Sequence, residues 1–149
     1  MKKRIYRKLT ISDLPLLMQL RDENPDFSVS EDNARQFLSN SKNWFFACIQ
    51  ENQIIGHSFG YEQENFTCSG NRLYIHGFGV SPKYRREGIG TGILSGIKEA
   101  CKLLNIYKIF LITEKSNIAA CGLYEKLGGT NHPSCTKDDA RVYFFNPFE

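Results

Sequence analysis

The stretch from residue 80 to residue 90, Val-Ser-Pro-Lys-Tyr-Arg-Arg-Glu-Gly-Ile-Gly, combines glycines with clustered positive charge. Pro82 lacks a backbone N–H and ends the preceding strand, while Gly88 and Gly90 carry no Cβ, so the backbone can approach a ligand closely. The N–H groups that open the next helix are unpaired, and the helix dipole favours negative charge there. Three cations lie beside them: Lys83, Arg85 and Arg86. The loop therefore predicts a site for a pyrophosphate-bearing cofactor.

Two other phosphate-binding patterns fit the sequence poorly. A P-loop requires Gly-x-x-x-x-Gly-Lys-(Ser/Thr), and the chain contains no Gly-Lys pair. The run from Gly90 to Ser95 departs from the dinucleotide fingerprint at its last glycine. An ordinary strand-to-helix turn that binds nothing stays open as an alternative for the loop taken alone.

The pattern Arg85-x-x-Gly88-x-Gly90, placed after Val80-x-Pro82, resembles the coenzyme A signature of the GCN5-related N-acetyltransferases (GNAT). In that family (Arg/Gln)-x-x-Gly-x-(Gly/Ala) begins the helix after the fourth strand. The resemblance implies acetyl-CoA as the cofactor. It also implies the following cofactor-binding residues: Phe78, Gly79, Val80, Arg85, Arg86, Glu87, Gly88, Ile89, Gly90, Thr91, Asn117 and Tyr124.

A second segment strengthens the resemblance. Residues 117–128 read Asn-Ile-Ala-Ala-Cys-Gly-Leu-Tyr-Glu-Lys-Leu-Gly, and the family's later segment has an Asn and a Tyr at the matching places, where both commonly face coenzyme A. Tyr124 also shares a helical face with Ala120 and Leu127, so a role as a core aromatic residue stays open.

The chemistry implied by this resemblance is acyl transfer from a thioester to an amine. The amine must lose a proton, the carbonyl oxygen needs a positioned donor, and the departing thiolate benefits from an acid. By resemblance, a bulge in the strand before the loop leaves the N–H groups of Phe78 and Val80 free as donors. Tyr124, a phenol with an ordinary pKa of about 10, is the candidate catalytic acid.

His76 is the candidate catalytic base. Strand alternation places Tyr74, His76 and Phe78 on one face, and the ordinary pKa of imidazole, near 6.5, suits the task. Some family members carry a histidine on this strand, which His76 resembles. A structural histidine bonded within the sheet stays open as the alternative. Two further histidines are weaker candidates near the acceptor: His57 and His132.

Periodicity predicts a mixed α/β protein, and the element order β-α-α-β-β-β-α-β-α-β is that of the GNAT acyl-CoA N-acyltransferase fold. The family's fourth and fifth strands splay apart, and the cofactor lies in the resulting V. The predicted elements are strand 3–9, a helix from the Thr10 capping box to residue 21, helix 31–38, strands 44–50, 54–62 and 72–80, helix 89–104, strand 107–113, helix 117–127 and strand 141–147.

Length and composition bound the class of protein. With 149 residues and a net charge of +3, we predict a single domain over residues 1–149. The charge is too small and too dispersed for a nucleic-acid binder. No apolar run approaches the roughly 18 residues of a membrane span and no secretory signal is evident, so we expect a cytoplasmic protein without a membrane partner. The five cysteines lack Cys-x-x-Cys spacing, so neither disulfides nor a metal site is predicted.

Within the family, three segments look similar to the small aminoglycoside 3-N-acetyltransferase branch: residues 43–47, 73–80 and 142–145. That branch usually has an acidic residue near the end of the fourth strand, where this chain has Gly77. The expected acceptor is a primary amine of a small molecule, such as an aminoglycoside or polyamine, or of a peptide; a homodimer stays open. Acidic residues expected to flank the acceptor are Asp22, Glu23, Asp26, Glu31, Asp32, Glu62 and Glu64.

Two readings without acetyl transfer stay open beside the enzyme. The first is a non-catalytic module that binds acyl-CoA for regulation. The second is a nucleotide- or nucleic-acid-binding domain that uses the cations of the stretch 80–90, which we call the glycine loop. Such a domain would require a wider basic surface than the sequence offers.

Overall fold

A computed structural model describes residues 2–131 and 139–149. Its strands are β1 (Ile5–Lys8), β2 (Asn43–Gln50), β3 (Gln53–Gln63), β4 (Asn71–Val80), β5 (Ile106–Glu114), β6 (Thr130–Asn131) and β7 (Ala140–Phe145). Its α-helices are α1 (Leu14–Glu23), α2 (Glu31–Ser39), α3 (Ile89–Leu103) and α4 (Ile118–Lys126). Short 3-10 turns precede α1 and α3, at Ile11–Asp13 and Pro82–Tyr84.

The strands form one mixed sheet in the order β1-β2-β3-β4-β5-β7-β6. All neighbours pair antiparallel except β4 and β5, which are parallel because α3 crosses over between them. The predicted fold class and element order are confirmed. The two-residue β6 and the 3-10 turns were not predicted, since so short a segment leaves no periodicity to read.

Local signals place the helix starts as the sequence predicts. Asp13 accepts a hydrogen bond from the Thr10 backbone N–H at 2.8 Å, which is the expected capping box, although a 3-10 turn comes first. Ser30 caps α2 by accepting from the Asn33 N–H at 3.1 Å.

Of the described cysteines, Cys48, Cys101 and Cys121 are buried and Cys68 is exposed.

The sheet separates two apolar cores. On one face α3 and α4 cover a core that includes Ile75, Ile93 and Tyr143. On the other face α1 and α2 cover a smaller core that includes Leu17, Ala34 and Phe45. Burying the apolar stripes of four helices against one sheet is what fixes the positions of the loops at the ends of its strands.

Strands β4 and β5 separate where the glycine loop approaches. Their pairing runs from Asn71 opposite Ile106 to Ile75 opposite Leu111 and then stops, while β4 continues to Val80 alongside β3. The V-shaped opening expected from the resemblance is therefore present. It exposes the free edge of the last residues of β4 towards α4.

A bulge in β4 changes which side chains share a face. Gly60 of β3 lies opposite Ile75, and the next residue, Phe59, lies opposite Gly77, so His76 is the extra residue. One inserted residue reverses the alternation beyond it. His76 packs near Phe59 on the α1/α2 face, whereas Phe78 packs on the α3/α4 core. The prediction that Phe78 shares the face of Tyr74 and His76 is therefore wrong.

Among the described residues, no helix is both long enough and apolar enough to cross a membrane.

Candidate functional site

The opening between β4 and β5 forms a cleft of about 660 Å³, which we call the cofactor cleft after the expected ligand. The end of β4, the glycine loop, the start of α3 and one side of α4 enclose it. Its lining includes eleven of the twelve predicted cofactor residues: Phe78, Gly79, Val80, Arg85, Arg86, Gly88, Ile89, Gly90, Thr91, Asn117 and Tyr124. The two sequence motifs, about 30 residues apart, thus meet across one cleft.

The glycine loop aims the first N–H groups of α3 into this cleft. Gly88 is the N-cap residue with φ of +79°, a left-handed conformation that glycine adopts without strain. Its carbonyl accepts the N–H of Gly92 at 3.0 Å, which leaves the N–H groups between these two residues without helical partners. Arg86 also has a positive φ, +65°. The arrangement suits a pyrophosphate.

The last residues of β4 offer two further donors. Ser81 donates its N–H to the Ile55 carbonyl of β3 at 2.9 Å. Because N–H directions alternate along a strand, the N–H groups of Val80 and Phe78 point the other way, into the opening where β4 has no partner. Free donors at these two positions agree with the expectation from the resemblance.

Tyr124 lies at the floor of the cleft. It is buried, and the edge of its ring meets Phe78 with ring centroids 6.2 Å apart. No residue in the described part of the chain hydrogen-bonds its hydroxyl. Burial raises the pKa of Tyr124 above its ordinary value of 10, so the phenol keeps its proton at neutral pH. The hydroxyl can therefore act as a proton donor.

Asn117 and Glu87 differ in their orientation towards the cleft. Asn117 is the N-cap of α4, where its side-chain oxygen accepts the Ala120 N–H at 3.2 Å, which leaves its NH₂ group as a donor. Glu87 instead turns to Arg4, which donates to both its carboxylate and its carbonyl. Its side chain fixes the loop to the segment before β1 and does not line the cofactor cleft.

A second cleft, of about 300 Å³, lies on the opposite side of the end of β4. Both clefts are lined by Phe78, Gly79, Val80 and Arg85, so the tip of β4 is their common wall. The second cleft also has contributions from α1 and the loop after it: Leu20, Asn24, Asp26 and Phe27. We call it the acceptor cleft, because the residues after α1 were expected from the resemblance to flank the acceptor.

The histidines are placed differently from the prediction's ranking. His76 is exposed on the bulge and shares a hydrogen bond of 2.9 Å with the Tyr74 hydroxyl, and it is not among the residues lining either cleft. His57 lines the acceptor cleft, between Phe45, stacked at 5.4 Å, and Phe27. Burial lowers the pKa of His57 to about 4. His132 lies outside the described residues.

Most of the acids expected around the acceptor lie elsewhere. Of the described residues that line the acceptor cleft, Asp26 alone carries a carboxylate. Glu62 is held by the Asn71 amide at 2.7 Å and the indole N–H of Trp44 at 3.2 Å, and Trp44 is a core residue.

The sequence also missed Tyr84 and Lys126 of the cofactor cleft, although Lys126 follows Leu123 at helical spacing.

Gly77 stands where the aminoglycoside branch usually has an acid. A Cβ built there would lie 2.1 Å from the Phe59 ring, so Phe59 occupies the space that an acidic side chain would need. The departure from the branch is thus linked to a second residue on the neighbouring strand.

Comparison with known proteins identifies the family of the chain. The model of the acetyltransferase (GNAT) family matches residues 14–129. YobR, an uncharacterized N-acetyltransferase of Bacillus subtilis (strain 168), is 32% identical over 74 residues, which span 46% of this chain and 30% of that protein. YxbD, an uncharacterized protein of the same organism, is 48% identical over 42 residues, which span 28% of this chain and 26% of that protein. The matched segments cover less than a third of either relative.

Two solved structures share the fold. The aminoglycoside acetyltransferase meta-AAC0020 from an uncultured soil metagenomic sample, solved with sisomicin, superposes with a TM-score of 0.75 at 19% identity over 91% of both chains. NAA60 of Arabidopsis thaliana, solved with acetyl-CoA, gives a TM-score of 0.76 at 14% identity over 97% of this chain and 98% of that chain. At these identities the likeness concerns the fold. Because the family model covers more than half of the sequence and both motifs face one cleft, the chain belongs to the acetyltransferase (GNAT) family.

Proposed function

We propose that the protein is an acetyl-CoA-dependent N-acetyltransferase that acetylates a primary amine by direct attack in a ternary complex. The observation that carries the proposal is the meeting of two clefts at the tip of β4. One cleft offers unpaired helix N–H groups and arginines for a pyrophosphate, and the other is open to a second reactant. When bound, acetyl-CoA would supply the activated acetyl thioester.

The residues present fit each task around that thioester. Arg85, Arg86 and the first N–H groups of α3 would hold the pyrophosphate, and the Asn117 amide would donate to the pantetheine arm. The N–H groups of Val80 and Phe78 would stabilise negative charge on the carbonyl oxygen. Tyr124 would give its phenolic proton to the departing thiolate of coenzyme A, and the proton lost by the amine would pass to a base.

Two histidines are candidates for the base. His76, predicted from the sequence, reaches neither cleft directly and would act through water. His57 lines the acceptor cleft but its pKa of about 4 makes it a weak base. The pH dependence of kcat/KM separates them: the variant that lacks the base, H57Q or H76Q, loses the acidic limb of the profile, and the other variant keeps it.

The function is tested by mass spectrometry of purified protein with acetyl-CoA and a panel of amines, amino acids and short peptides. Acetylation of any amine, with turnover that depends on Tyr124, supports the proposal. Binding of acetyl-CoA without acetylation of any amine would favour the non-catalytic module. No binding of acetyl-CoA would contradict the assignment of the cofactor cleft.

A further inference from the structure

An apolar pocket of about 240 Å³ adjoins the acceptor cleft. It lies between α1, α2 and the sheet, and its wall of aromatic rings consists of Phe27, Phe37, Phe45, Phe59 and Tyr61. We call it the aromatic pocket. Phe27 lines both this pocket and the acceptor cleft, so the two spaces are neighbours across a single side chain.

The rings of the aromatic pocket support one another. Phe37 meets Phe59 edge to face at 6.3 Å and Tyr61 at 5.7 Å, while Phe45 stacks on Phe59 at 6.3 Å. Edge-to-face and stacked pairs of this kind are favourable geometries, so the walls are held in place without a ligand. Gly77 contributes, because any side chain there would displace the Phe59 ring.

The charge of this region is unsuited to a polycation. No described residue lining the aromatic pocket is charged. In the acceptor cleft the carboxylate of Asp26 is accompanied by the guanidinium of Arg85. Several ammonium groups desolvated together would need several carboxylates, which these walls do not offer. One ammonium group near Asp26 can be accommodated.

We propose that the acceptor is a primary monoamine that carries one aromatic or branched aliphatic group, with its nitrogen in the acceptor cleft and its apolar group in the aromatic pocket. A volume of about 240 Å³ equals the share of roughly eight water molecules, which is room for one ring or branched chain. Small-molecule sites combine such apolar walls with a few polar groups that set orientation. The inference rests on the proposed acetyltransferase function and narrows its substrate class.

The experiment compares kcat/KM for 2-phenylethylamine, ethylamine and a polycationic aminoglycoside in the wild type and in two variants. S28W places an indole at the mouth of the aromatic pocket, from an exposed position. S95W is the matched control, because Ser95 is exposed on α3 and lines neither the pocket nor a cleft. Circular dichroism verifies that both variants fold.

We expect the wild type to prefer 2-phenylethylamine over ethylamine by roughly 10-fold or more, as apolar pockets discriminate. In S28W the kcat/KM for 2-phenylethylamine should fall to about that for ethylamine, so the preference should disappear. S95W should behave as the wild type. Equal turnover of the two amines, faster turnover of the aminoglycoside, or an unchanged preference in S28W would overturn the substrate class while the acetyltransferase function stands. Acetylation of none of these three amines, while another member of the wider panel of amines, amino acids and peptides is acetylated, would also overturn the substrate class. No acetylated product from the whole panel would contradict the proposed function itself.

Discussion

At the scale of single residues, Tyr124 is the group on which the proposed chemistry depends most. Its hydroxyl has no hydrogen-bond partner among the described residues, and burial keeps it protonated. We expect Tyr124→Phe to lower kcat by roughly 100-fold while the Kd for acetyl-CoA changes little, because the ring that packs on Phe78 remains. Steady-state kinetic assays measure kcat, and calorimetry measures the Kd for acetyl-CoA.

Tyr107→Phe is the matched control for this substitution. Its hydroxyl accepts a hydrogen bond from Asn65 at 2.6 Å in a loop that lines neither cleft, so kcat should stay near that of the wild type. Unaltered turnover in Tyr124→Phe would return Tyr124 to a packing role in the core.

His57 makes the stability of the folded chain depend on pH. Its pKa falls from 6.5 in the unfolded chain to about 4 in the folded protein, because the ring is buried between two phenylalanines. The unfolded state therefore binds more protons between these values, and stability falls as the pH falls from 6.5 towards 4. The full loss is about 3 kcal/mol. Above pH 6.5 the penalty is absent.

His57→Phe should flatten this dependence. A phenyl ring fits an apolar site and cannot be protonated, so urea unfolding at pH 7.5 and pH 5 should show a smaller loss for the variant than for the wild type. His76→Gln, on the exposed bulge, should keep the loss of the wild type because His57 remains. If the wild type and His57→Phe lose equal stability, the ring is solvated.

At the scale of elements, the start of α3 depends on a backbone conformation. Gly88 has φ of +79°, and an added Cβ would meet no atom within 4 Å, so the cost of Gly88→Ala is strain alone, about 1 kcal/mol. Because the strain acts on the loop that presents the N–H groups, the Kd for acetyl-CoA should also rise, by roughly 10-fold. Calorimetry and thermal unfolding measure the two effects.

Gly122→Ala provides the opposite case. Gly122 lies within α4, and its Cβ would likewise meet no atom within 4 Å. Alanine is the better helix former, so this variant should gain up to about 1 kcal/mol and bind acetyl-CoA as the wild type does. If Gly88→Ala proves at least as stable as Gly122→Ala, the conformational argument for the glycine loop is wrong.

The elements also explain what the sequence could predict. The glycine loop and the α4 motif are each a continuous segment of the chain, so their residue types and spacing reveal the family resemblance. That resemblance implies that Gly88, Asn117 and Tyr124 lie at one cofactor site, and all three line one cleft. The bulge at His76 depends instead on Gly60 of β3, where a Cβ would lie 2.0 Å from the Tyr74 carbonyl oxygen. Periodicity within β4 contains no sign of that contact.

Glu87 is a side chain whose orientation could not be predicted from the sequence motif. The motif predicts it beside the cofactor, but Arg4, 83 residues earlier in the chain, binds both its carboxylate and its carbonyl. Contacts between distant segments decide such orientations. For the same reason the acceptor cleft could be expected only in outline, since its walls come from α1, the loop after it, two strands and the glycine loop.

At the scale of the whole molecule, ligand binding in the V between β4 and β5 is coupled to folding, because the V exists only in the folded chain. A ligand that binds only the folded chain stabilises it by about 2.7 kcal/mol at a concentration of 100 times its Kd. For a chain of this length, that corresponds to a rise in Tm of roughly 5 to 10 °C. We expect acetyl-CoA to give such a shift in a thermal unfolding experiment.

ATP is the control that separates the cofactor from phosphate binding in general. It carries a polyphosphate for the N–H groups of α3 but no pantetheine arm to reach the Val80 and Phe78 donors or Asn117. At equal concentration it should therefore raise Tm much less than acetyl-CoA does, and Tyr124→Phe should keep the response to acetyl-CoA. An equal shift with ATP would favour a nucleotide site at the glycine loop, because the far half of the cleft would then contribute nothing to binding.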